Sequence, residues 1–253
     1  MRVLSLCPSI TETLFALGCG PARGPGAGIV GRTKFCTEPR GRVADLPVVG
    51  GTKDPRLERI LALAPERVLM NEEENRREDA EALRAAGLQV HASLPVDVPS
   101  TARALRAIGR AIGREEQADD LAARLTERAD AVAARAAGRP PVRFCYLIWR
   151  RPWMAVGPGT YVDALLTQAG GRNVVAGGGA RYPEVDLDEL LEAGVERVFL
   201  SSEPFPFREP HRDEVRAALA SDRPAVELVD GRLLSWHGYS TLEGLAYAER
   251  LLT

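Results

Sequence analysis

Among the residues able to do chemistry, this chain holds three histidines, four cysteines and three tryptophans. His237 stands in Trp236-His237-Gly238-Tyr239, where a neutral imidazole could ligate a metal or a metal-bearing ligand. Cys36 closes the run Gly31-Arg-Thr-Lys-Phe-Cys36. Lys34 beside it could lower the thiol pKa and yield a thiolate nucleophile or a soft-metal ligand. A structurally silent loop cysteine is the other reading of the same residue. Glu72-Glu73-Glu74 reads as an acid cluster or as the solvated start of a helix. The chain has no His-Glu-x-x-His, no Gly-x-Ser-x-Gly and no Walker loop. Gly18-Cys-Gly20 follows a helical pattern, whereas a dinucleotide fingerprint needs its glycines between a strand and a helix start. The inventory therefore favours binding over catalysis.

The elements that must position these residues alternate between strand and helix. Apolar runs at 3–6, 68–70, 88–90, 144–148, 198–200 and 226–229 read as strands, and 29–30 and 48–49 are short apolar runs closed by glycine. Helical spacing follows at 9–17, 57–63, 76–86, 161–169, 187–193, 215–220 and 241–252. Ser9 and Glu12 fit a capping box, and Asp54-Pro55 fits an N-cap followed by proline. Such alternation predicts parallel sheets flanked by helices. Residues 98–138 are rich in Ala, Arg and Glu and read as a long connecting helix. Unbroken, it would span roughly 55 Å at ~1.5 Å per residue. Gly109 and Gly113 could interrupt it, giving two packed helices instead. The domains expected are an N-terminal lobe over 1–97, the connector over 98–138 and a C-terminal lobe over 139–253. Leu63-Ala-Pro-Glu66-Arg67-Val68 is echoed half a chain later by Ala193-Gly-Val-Glu196-Arg197-Val198. The echo favours two similar lobes.

In open parallel sheets, ligands bind beyond the carboxyl ends of the strands. That rule nominates four segments: 71–75, 149–154, 201–207 and 236–239. All three tryptophans fall within them. Loops that carry large aromatics fit ligand contact, with packing against the local core as the plainer reading.

Composition bounds the rest. The chain has 253 residues and a formal net charge of −2, which disfavours a nucleic-acid partner. No apolar run approaches the ~18 residues needed to span a bilayer. The cysteines form no Cys-x-x-Cys pair and read as free thiols. Val3-Leu-Ser-Leu6 lacks the features of a secretory leader, so the sequence as it stands reads as cytoplasmic, or as a mature form with its leader removed.

Three stretches carry a resemblance. They are Ser5-Leu-Cys-Pro-Ser-Ile-Thr-Glu12 with Leu17-Gly18, then Val49-Gly-Gly51 with 57–68, and Arg181-Tyr-Pro-Glu-Val-Asp-Leu187. Together they resemble the helical-backbone (class III) periplasmic substrate-binding proteins that serve ABC importers of cobalamin, haem and iron-siderophores, most nearly the cobalamin-binding branch. The resemblance implies an α/β fold of two Rossmann-like lobes with parallel sheets, joined by a long backbone helix. It implies no catalysis, no intrinsic cofactor and no resident metal. Cobalamin, haem or a ferric siderophore would lie in a cleft between the lobes. The partner would be an ABC permease, the protein a monomer, and the family norm a periplasmic or lipid-anchored location. Carried over by position, the cleft rim includes Phe35 or Cys36, Asn71 and Tyr182. Loop placement adds Glu73, Trp149, Arg150, Arg151, Trp153, Glu203, Trp236 and His237. Glu78 and Glu189 match the carboxylates that dock permease arginines. The alternative is a cytosolic metal- or cofactor-handling enzyme or sensor on the same scaffold, with Cys36, Glu203 and His237 as reactive groups.

Overall fold

The computed structural model describes residues 1–175, 179–220 and 223–253. The chain divides into two compact units. The first comprises Met1–Pro95, Pro99–Thr126 and Trp236–Ser240; the second comprises Val96–Val98, Glu127–Ser235 and Thr241–Thr253.

In the first unit, β1 (Arg2–Ser5), β2 (Gly28–Arg32), β3 (Arg67–Asn71) and β4 (Gln89–Ser93) form a parallel sheet in the order β2-β1-β3-β4. Val68, Leu69 and Met70 are all buried whichever face they point to. That is why the run shows no apolar–polar alternation: a parallel sheet is covered on both faces. Leu4, Val30, Val68 and Met70 pack with Ile60 and Leu83 from α2 (Leu57–Ala62) and α3 (Arg77–Ala85).

Two expected helix starts are displaced. The helix α1 (Pro8–Ala16) has Cys7, not Ser9, at its N-cap. Pro8 sits in the first turn, where its fixed φ and missing N–H suit a helix start, so Ser9 lies inside the helix. Likewise Arg56, not Asp54, is the N-cap of α2.

The stretch expected to connect the lobes is broken. It forms α4 (Val98–Ile112) and α5 (Glu115–Ala136). Gly113 between them has φ +68, a conformation that side-chain-bearing residues rarely adopt. Gly109 lets the two helices touch: a Cβ there would lie 2.9 Å from the Arg114 carbonyl oxygen and collide with the Ala118 methyl. The boundary between the units falls inside α5.

The second unit carries β5 (Val142–Trp149), β6 (Met154–Ala155), β7 (Gly171–Asn173), β8 (Arg197–Ser201) and β9 (Ala225–Val229). β7, β8 and β9 run parallel to their partners, whereas β6 turns back antiparallel on β5. The helices are α6 (Tyr161–Gln168), α7 (Leu187–Glu192), α8 (Glu209–Leu219), α9 (Gly231–Ser235) and α10 (Thr241–Leu251). Cys145, Leu147, Val198, Leu200, Val215 and Val226 lie in one core cluster.

The sequence echo is a structural repeat. In the first unit the Glu66 N–H donates to the Arg2 carbonyl (2.8 Å), and the Glu66 carboxylate accepts from the Arg2 N–H (2.5 Å). In the second, Glu196 makes the same pair with Arg143, at 2.8 Å each way. Both arginines also reach the carbonyls that end the preceding helix: Arg2 bonds Leu63 (2.8 Å) and Arg143 bonds Ala193. Each unit thus locks the start of its central strand to the helix–strand turn beside it.

Candidate functional site

At the carboxyl end of β3, Asn71 is the last residue of the strand and is buried. Its Oδ1 accepts from the backbone N–H groups of Glu73 and Glu74, at 3.0 Å each. Its Nδ2 donates to the Ser93 carbonyl (3.0 Å) and to His237 Nε2 (3.0 Å). Two donors and two acceptor sites are all that a side-chain amide has, so Asn71 is saturated. Asn75 braces it, accepting from the Asn71 N–H (2.9 Å) while donating to Leu6 and Thr52 carbonyls. This geometry makes Asn71 the residue that shapes the 71–75 loop and holds His237.

Because Asn71 donates to His237 Nε2, that nitrogen is an acceptor and the ring proton sits on Nδ1. Ser9 Oγ lies 3.4 Å from the same nitrogen. Burial pulls the imidazole pKa down to about 4, against a small opposing pull from Glu73. The histidine is therefore neutral, and its Nε2 lone pair is already engaged. The backbone around it is equally tied: Tyr239 N–H donates to Thr13 Oγ1 (3.1 Å), Thr13 Oγ1 donates to the Ser9 carbonyl (2.8 Å), and Ser240 Oγ bonds the Glu12 carboxylate. Five residues from late in the chain are thus bound to α1 of the first unit.

Burial, and not Lys34, sets the Cys36 thiol. The thiol is fully buried and its pKa is raised, with Thr11 and Thr33 hydroxyls offsetting the shift only in part. Its Sγ lies 3.1 Å from Thr33 Oγ1. Cys7 is pushed up to about 12 by the same cause. Neither is a thiolate, so the reactive-cysteine alternative loses its nucleophile. Lys34 instead places its Nζ 5.0 Å from the centroid of the Phe35 ring. Phe35 is 51% exposed. Glu73 is half-buried, and its carbonyl accepts from Lys53 Nζ (2.7 Å).

In the second unit, the loops after β5 and β8 carry an aromatic cluster. Trp149, 42% exposed, meets Phe205 edge-on with centroids 5.7 Å apart. Phe205 meets Phe207 at 4.8 Å, and Trp153 stacks on Phe207 at 6.2 Å. His211 stands edge-on to both phenylalanines. Arg150 and Arg151, adjacent in sequence, differ completely. Arg150 holds Glu214 with two hydrogen bonds of 2.7 and 2.8 Å, which keeps that carboxylate below its usual pKa. Arg151 is exposed. Glu203 is half-buried, with its N–H on Ser201 Oγ (3.1 Å). Tyr182 is half-buried in the segment that lies along β6, where Ala155 N–H bonds the Pro183 carbonyl and Gly157 N–H bonds that of Arg181.

The structure brings Asn71 and His237 together in one unit, and Trp149 and Trp153 into one cluster in the other. It buries Trp236 to 8% exposure, leaving no open ring face there. Glu78 and Glu189 are exposed in the first turns of α3 and α7. The sequence reading nominated 201–207 without singling out Phe205, which joins the Trp149 and Phe207 rings, and it missed Glu214, whose helix pattern marks no partner. Among the described residues, no group of three or more His, Cys, Asp or Glu could hold a metal ion. No helix of the described residues is long and apolar enough to cross a membrane.

A family model described as "Periplasmic binding protein" matches residues 3–229. The chain belongs to the periplasmic binding protein family. A curated relative, the vitamin B12-binding protein of Vibrio campbellii, is 23% identical over 200 residues, covering 79% of this chain and 70% of the relative. Among solved structures, the periplasmic vitamin B12-binding protein BtuF of Vibrio cholerae superposes with a TM-score of 0.79 at 20% identity, covering 98% of this chain and 95% of that one. A periplasmic haem-binding protein from Pseudomonas aeruginosa gives 0.81 at 22% identity, with 99% and 92% covered. Membership makes this a binding protein of the α/β two-lobe class and not an enzyme, whose relatives take cobalamin or haem as ligand and not as resident cofactor. It also overturns the cytoplasmic expectation, because the family and these structural relatives are periplasmic. The opening run misled because Val3 and Leu4 are buried in β1. Their apolarity reports the core and carries no information about compartment.

Proposed function

We propose that this periplasmic binding protein delivers cargo to an ABC-type importer, and that the cargo is a metal-bearing macrocycle of the corrinoid or haem type. The observation that carries the reading is the aromatic cluster Trp149-Phe205-Phe207-Trp153 at the carboxyl ends of β5 and β8, with Trp149 open to solvent. Flat conjugated ligands bind best on such rings, because a buried ring face contributes both area and quadrupole contact. Phe35, half-exposed after β2, is an open ring of the first unit. The B12- and haem-binding relatives point to the same ligand class. Glu78 and Glu189 are read as the permease-docking carboxylates, each exposed at a helix start where it can meet an arginine.

The test is titration of the purified protein with cyanocobalamin, haemin and a ferric siderophore, followed by tryptophan fluorescence and thermal shift. The expected result is saturable quenching and a raised Tm with one tetrapyrrole, weakened about tenfold by Trp149→Ala. Failure of all three to quench or to shift Tm would sink the reading. Charge reversal at Glu78 or Glu189 is expected to leave ligand affinity unchanged and to abolish stimulation of the permease ATPase.

A further inference from the structure

Arg151 sits at the tip of the β5–β6 hairpin, whose paired ends are Trp149 and Met154. Its backbone has φ +64, one of three non-glycine residues with positive φ among those described. Side chains with a Cβ rarely adopt that region, and residues held there cluster at binding sites. Glycine would fit the turn better, yet an arginine stands there. Its side chain is exposed, and its charge adds to the pull of Arg150 on the Glu214 carboxylate without a bidentate lock of its own. The neighbouring positive charge is already neutralised, since Arg150 is locked bidentately on Glu214. The hairpin therefore presents a solvent-exposed guanidinium two positions after the open ring of Trp149 and two before the stacked ring of Trp153.

We infer that Arg151 is a specificity-determining residue that binds a carboxylate on the rim of a flat ligand lying against the aromatic cluster. The inference rests on the tetrapyrrole reading above and narrows it, from any macrocycle to one carrying an ionised acid. A guanidinium fork matches a carboxylate bidentately and gains charge assistance, whereas an amide or ester offers a neutral acceptor only. The arrangement divides the work: rings hold the plane of the ligand, and the cation reads its edge.

The experiment compares ferric mesoporphyrin IX with its dimethyl ester, and with cyanocobalamin, on wild type, Arg151→Gln and Arg151→Gly. Wild type is expected to bind the diacid about tenfold or more tightly than the diester. Arg151→Gln is expected to remove that preference while leaving diester affinity unchanged. Arg151→Gly is expected to remove it too, with a Tm equal to or above wild type, because glycine relieves the backbone. Loss of fold therefore cannot mimic the result. An acid preference that persists in Arg151→Gln, or none in wild type, overturns the inference and leaves the tetrapyrrole reading standing. Tight cyanocobalamin binding that ignores Arg151 does the same. If wild type binds none of the three, both fall together.

Discussion

The buried histidine governs how the molecule meets acid. His237 has a folded-state pKa of about 4, against an ordinary value near 6.5. Between those values the unfolded chain binds the extra proton and the folded chain does not. Stability is therefore complete above about pH 6.5 and falls as pH drops through the window toward 4, by about 2–3 kcal/mol. In His237→Asn this slope is expected to flatten, which a Tm series between pH 7 and 4 would check. Thiol chemistry is governed by the same desolvation. Cys7, Cys36 and Cys145 are buried with raised pKa values, while Cys19 is partly open. Labelling of the native protein at pH 8 is expected to modify Cys19 first by at least an order of magnitude, as read by mass spectrometry. Modification of Cys36 at the same rate would contradict the burial argument. Residue types in the sequence singled out His237 and Cys36, but the surroundings that set their chemistry were hidden. Whether a thiol is a nucleophile depends on the hydroxyls and solvent around it, here Thr11 and Thr33, which no local spacing reveals.

Among the elements, the repeated Glu-Arg turn was the most legible feature. Its message was read from an apolar run preceded by two charges, and the structure supplies the reason those charges recur. Glu66 and Glu196 each accept the backbone N–H of an arginine that opens a central strand. Both sites are exposed, so each bond contributes modestly. Glu66→Ala and Glu196→Ala are each expected to cost about 1 kcal/mol, and the double variant about the sum, since the two pairs share no partner. Urea denaturation of the four proteins would check it, and strong coupling would contradict independence. The strands of both sheets were legible because parallel strands are continuous apolar runs. β6 and β7 were not, being too short at two and three residues to show any pattern. The helix starts at Ser9 and Asp54 were misplaced because proline set the first turn at Pro8, and because Arg56 capped α2 with no side-chain signal.

At the scale of the whole molecule, the first unit is not a continuous piece of chain. It needs Trp236–Ser240, which reach α1 and β3 through Thr13, Glu12 and Asn71. A fragment of residues 1–126 is therefore expected to melt well below the full chain, with Asn71 left without one of its acceptors. Adding back the full chain's C-terminal half should restore it; circular dichroism on the separate and mixed halves would show whether it does. The two-lobe α/β plan and the family could be read from residues alone, because chain-wide alternation and three fold-specific stretches carried them. The membership of 236–240 could not, since nothing local distinguishes a loop that returns to its own sheet from one that joins another. That late segment also sets an order of events. Residues 236–240 follow most of the second unit in sequence, so α1 gains these partners only after that intervening chain has been made.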